Sequence, residues 1–113
     1  MSYRVAIASS DGKVVNQHFG HAEEFLIVQV EDTQYEYIEK RSPGAACQLG
    51  SHDDVTMEQV IESLSDCKYV LCTKIGPGAE QKLRHRGIIP LEISHFIDEA
   101  MQNLITYTQR AKE

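Results

Sequence analysis

What this chain lacks narrows the field first. It has no C-x-x-C pair, and its three cysteines, Cys47, Cys67 and Cys72, are an odd number in 113 residues. That excludes a closed disulfide framework and the common zinc and dithiol motifs, and it leaves reduced thiols. No charged segment followed by an apolar core opens the chain, and no apolar run approaches membrane-spanning length. A cytoplasmic protein with no membrane contact is therefore expected. Positive charge is also in deficit. The 11 Lys and Arg stand against 17 Asp and Glu, a net charge of −6, which disfavours nucleic acid as a partner. Neither G-x-G-x-x-G nor G-x-x-x-x-G-K-[ST] is present, so no nucleotide cradle is signalled. Length is limiting too: two domains would each bury too little surface, and the expectation is one domain spanning 1–113.

What is present alternates between two periods. Tyr3 to Ser9 is a short β-forming run that stops at Ser-Ser-Asp-Gly, and Gly12 to Gly20 breaks the pattern as a loop. Phe25–Val30 and Tyr35–Glu39 read as an antiparallel hairpin joined through Glu31 to Gln34. Residues 42–54 hold Pro, Gly, Ser and Asp without periodicity and form the longest irregular segment. Thr56 and Gln59 have capping-box spacing, and Met57, Val60, Ile61 and Leu64 share one helical face, so a helix ending near Asp66 is expected. Tyr69–Thr73 is a doubly buried strand. A helix from Pro77 stops at Gly87, and Ile88–Ile93 carries Pro90 and belongs at a sheet edge. Ser94 is placed to cap a last helix with Ile97, Met101, Leu104 and Thr108 on one face. Strand and helix alternate in the second half, which predicts an α/β fold with a parallel portion.

The chemically active side chains are sparse. His18 and His21 flank Phe19-Gly20 in NQHFGH. Imidazole suits iron, copper or zinc, and i, i+3 spacing on a helical turn would put both rings on one side. The spacing is equally that of two solvated loop histidines. Cys47 and His52 in the irregular segment read either as soft ligands closing over a metal at His18 or as an incidental thiol and a surface imidazole. Lys74-Ile75-Gly76-Pro77-Gly78 follows a strand and opens a helix, so the amides near Gly76, with Lys74 beside them, form a candidate anion site. Cys67 and Cys72 read as small buried hydrophobes. A metal-dependent hydrolase would want a carboxylate on the first strand, and Tyr3–Ser9 has none.

Several stretches together resemble the dinitrogenase iron-molybdenum cofactor biosynthesis family, which includes NifX, NafY and the C-terminal domain of NifB. They are VAIASSDGKVVNQHFGHAEEFLIVQV, Cys47 with Gly50, LSDCKYVLCTKIG and RGIIPLEI. The resemblance implies a ribonuclease-H-like fold, a five-stranded mixed sheet flanked by helices. It also implies a non-enzymatic carrier whose cargo is the iron-molybdenum cofactor or a precursor iron-sulfur cluster, with nitrogenase or cofactor-assembly proteins as partners. The histidine associated with cofactor binding falls on His18 and the loop cysteine on Cys47. The local sequence Ala46-Cys47-Gln48-Leu49-Gly50 departs from the family's aromatic-Cys-x-Gly form. Such clusters are anionic, so an acidic chain must supply local positive potential, for which Lys74, Lys13, His18 and the helix start at Gly76 are the candidates. Two other readings stay open: a regulatory or protein-interaction domain without metal, and a carrier of a different metal cluster.

Overall fold

The computed structural model describes residues 2–21, 24–41 and 53–111. Five strands and three α-helices occur among them, in the order β1 (Ser2–Ala8), β2 (Phe25–Glu31), β3 (Gln34–Arg41), α1 (Asp53–Ser63), β4 (Tyr69–Cys72), α2 (Pro77–His85), β5 (Ile89–Glu92) and α3 (Ile97–Ala111). One 3₁₀ turn, Phe19–His21, precedes β2. The strands form a single mixed sheet ordered β3-β2-β1-β4-β5. β1, β2 and β3 are antiparallel neighbours, whereas β4 lies parallel to both β1 and β5.

The period of two in β1 sorts its side chains onto opposite faces. Ala6 and Ala8 join Phe25, Ile27, Val70 and Cys72 in a core roofed by Val60, Ile61 and Leu64 at the end of α1 and by Leu83 of α2. Val5 and Ile7 join Val28, Val30 and Leu71 under Ile97, Met101 and Leu104 of α3. All four β4 residues are buried, as a strand covered on both faces requires. Burying one large apolar side chain such as Phe25 or Leu71 contributes about 1.5–3 kcal/mol.

The hairpin turns through Asp32, whose φ of 57° starts a two-residue loop between the paired Glu31 and Gln34. Pro90 sits in edge strand β5, where its missing N–H leaves no partner wanting. α2 begins with Pro77 and is followed by Gly87 at φ 82°. A carboxylate clasp ties the far ends of the elements together. Asp66 receives both terminal nitrogens of Arg41 at 2.8 and 2.9 Å and Arg4 Nη1 at 2.7 Å. Arg41 Nη1 also donates to the Ser63 carbonyl at the end of α1.

Two sequence expectations are corrected here. α1 starts at Asp53, so Thr56 and Gln59 lie inside the helix and not at its start. α3 starts at Ile97, past Ser94, because the chain just before it is held by pairing to a distant loop: Val15 N–H donates to His95 O and Ile97 N–H to Lys13 O. No helix among the described residues is long and apolar enough to cross a membrane.

Candidate functional site

The loop after β1 is built around one carboxylate. Asp11 Oδ1 accepts from the backbone N–H of Lys13 at 2.9 Å and of Val14 at 3.1 Å, and from Ser9 Oγ at 3.2 Å. The backbone donors, Lys13 first, hold the Asp11 carboxyl below its ordinary range. Ser9 Oγ in turn accepts the Gly12 N–H, and Gly12 has φ 75°, a conformation that favours glycine. Asn16 then locks the loop back on itself through two bonds to Ser10.

This turn sends the chain across the carboxyl ends of the parallel strands. Thr73 N–H donates to Gln17 O at 3.0 Å, Phe19 N–H donates to Lys74 O at 2.9 Å, and His18 pairs with Lys74 in a parallel bridge. Phe19, 2% exposed, is driven into the core against Phe25, with ring centroids 5.7 Å apart. That anchor leaves His18 on the exposed side, next to exposed Lys74. Two residues further, Gly76 adopts an extended N-cap conformation without a side-chain cap, and its carbonyl accepts the Glu80 N–H that starts α2. His18, Lys74 and the start of α2 therefore meet at one edge of the sheet. A positive side chain, an imidazole and a helix start are a donor set suited to an anionic, soft-metal ligand.

Sequence reasoning missed Glu92. Its Oε2 accepts the Ile75 N–H at 3.0 Å, placing a carboxylate between the end of β5 and the start of α2. The available signal was topological, since the last residue of every parallel strand ends at this same edge. Thr73 was also missed; its buried Oγ1 has no hydrogen-bond partner among the described residues.

The other candidates separate. His21 closes the 3₁₀ turn with its backbone, and its side chain lies outside the described residues, as do Cys47, His52 and residues 42–52 of the expected loop 42–54, whose last two residues are helical and open α1. Lys13 does not stand with Lys74; it lines a cleft under the start of α3. Cys67 and Cys72 are buried as expected. Burial, with Asp66 adjacent, pushes the Cys67 thiol up to about 12, and burial, with Glu92 nearby, pushes Cys72 up to about 11. Among the described residues no three His, Cys, Asp or Glu side chains converge as they would around a metal ion.

A mixed sheet between helical layers, with a cationic and imidazole edge at the ends of its parallel strands, defines the class: a small α/β domain that presents its polar chemistry from loops. Within that class the chain belongs to the dinitrogenase iron-molybdenum cofactor family, whose model matches residues 1–107. It is similar to the FeMo cofactor biosynthesis protein NifB of Frankia alni, at 40% identity over 103 residues, covering 88% of this chain and 20% of that protein. It is also similar to the protein NifX of Sinorhizobium fredii, at 28% identity over 113 residues, covering 95% of this chain and 68% of the other. The chain thus spans about a fifth of the length of the NifB relatives it matches. In fold it is similar to the apo form of the orange protein from Desulfovibrio gigas, with a TM-score of 0.66 at 22% identity, over 93% of this chain and 88% of that one.

Proposed function

We propose that the chain carries a nitrogenase-type iron-molybdenum cofactor, or its precursor iron-sulfur cluster, as cargo during cofactor assembly, without catalysing a reaction itself. The observation that carries this reading is the parallel bridge that sets His18 beside Lys74 at the carboxyl ends of β1 and β4. His18 supplies a ligand to an exposed metal of the cluster. Lys74 and the backbone at Gly76 offset the negative charge of its sulfide-rich body. Few protein bonds suit a carrier, because cargo held by many would not be handed on.

His21, Cys47 and His52 are the further ligand candidates, with Cys47 the one a soft metal would prefer. Donor and acceptor are cofactor-assembly proteins or nitrogenase, and the setting is cytoplasmic. We further assign the fold to the ribonuclease-H-like group and 1–113 to one domain. Family membership and the likeness to NifX over most of its length support this reading.

Anaerobic transfer of isolated cluster onto the purified chain tests it. His18→Ala should lower the retained metal about tenfold or more, with an unchanged circular dichroism spectrum, and His21→Ala should lower it less. Equal loading of wild type and His18→Ala would remove the proposal.

A further inference from the structure

On the α3 face of the sheet, away from the His18 bridge, a cleft of about 740 Å³ opens between the β2–β3 hairpin and the start of α3. Its floor is Leu26 and Val28, and its walls are Tyr37 and Phe96. α3 buries Val28 and Val30 but leaves Tyr37, and Phe96 just before its own start, uncovered. Phe96 and Tyr37 are consequently 59% and 57% exposed, among the most exposed large hydrophobic side chains described. Isolated surface hydrophobes are ordinary, but two exposed rings flanking one apolar recess form a continuous patch of the kind that marks an interface.

The backbone that carries Phe96 is anchored on both sides. Val14 and Phe96 form a bridge, with Val15 N–H on His95 O at 3.0 Å and Ile97 N–H on Lys13 O at 2.8 Å to either side. The Asp11 turn fixes the opposite strand of that bridge. Tyr35 Oη donates to Asp98 Oδ1 at 2.7 Å and pins the cleft's far wall to α3. A backbone already held in place adds little ordering entropy to the cost of covering the residue it carries.

The rim carries both signs. Lys13, Asp98 and Glu99 all line it. Asp98 is engaged by Tyr35, whereas Lys13 and Glu99 have no ion-pair partner among the described residues. A surface that supplies a protruding ring, an apolar recess, a cation and an anion contains its own complement. That is the requirement of a two-fold contact, in which the same patch serves both sides. A partner of one charge would leave one rim group unmatched.

We propose that this face seats a second copy of the chain in a symmetric dimer. Phe96 of each copy closes the cleft of the other, and Lys13 of each faces Glu99 of the other. The contact leaves the edge bearing His18 and Lys74 open, and it does not depend on what cargo that edge takes.

Sedimentation equilibrium of the purified chain up to millimolar concentration tests this. Wild type should show a reversible monomer–dimer equilibrium, and Phe96→Glu should weaken it about tenfold or more with an unchanged circular dichroism spectrum. Lys13→Glu and Glu99→Lys should each weaken it, and the double variant Lys13→Glu/Glu99→Lys should recover most of the loss, since the reversed charges pair again. A monomer at every concentration, a dimer indifferent to Phe96→Glu, or a double variant no better than either single one would overturn the proposal.

Discussion

Cys67 and Cys72 differ from an active thiol through their surroundings alone. Both are buried, and their pKa values near 12 and 11 leave almost no thiolate at neutral pH. Iodoacetamide applied to the native chain at mildly alkaline pH should therefore spare both, and Cys47 should take the first equivalent. Peptide mapping before and after adding denaturant reads the outcome; modification of Cys67 or Cys72 at the native rate of Cys47 would contradict their burial. His18 and Phe19 are adjacent yet face opposite surroundings. The ring of Phe19 has an apolar core to enter, and its burial turns the neighbouring imidazole outward.

At the scale of elements, Asp66 joins β1, β3 and the end of α1 through two arginines. Its carboxyl is held well below the carboxylate range, chiefly by the hydrogen bonds from Arg41, with Arg4 adding to them and burial opposing. A depressed carboxyl contributes stability that is complete above the unfolded pKa of about 3.9 and is lost as pH falls toward the folded value. The side chain is 41% exposed, so solvent screening limits the contribution to about 1 kcal/mol. Asp66→Asn should lower the thermal midpoint at neutral pH and flatten the decline of stability below about pH 4. Parallel melts of the two proteins across that range check it, and identical pH profiles would count against the clasp.

Most elements were legible because their signals are local. The β-forming runs of β1 and β4, Pro90 in β5, and Pro77 with Gly87 around α2 each carry their own punctuation. The start of α1 misled because Thr56 and Gln59 imitate a capping box inside a helix that has already begun at Asp53. The start of α3 and the role of Glu92 were not legible. Both are set by contacts between segments far apart in the chain, 13–15 with 95–97 and β5 with Ile75. The same holds for the candidate site: His18 and Lys74 were each visible as chemistry, and only the sheet topology puts them side by side.

The whole molecule joins two kinds of pairing. The β1–β2–β3 meander uses near neighbours, whereas β1 must wait for β4, Val5 meeting Tyr69. Closing the longer loop costs more entropy before any contact compensates it, so the antiparallel half should gain structure first. Pulsed hydrogen exchange during refolding should protect amides of β2 and β3 before those of β4 and β5; simultaneous protection would show a single concerted step. The bridge between His18 and Lys74 belongs to the late half, since it extends the β1–β4 pairing. Imidazole and ammonium thus become neighbours only when β4 docks, so the edge that bears them is among the last parts of the molecule to be completed.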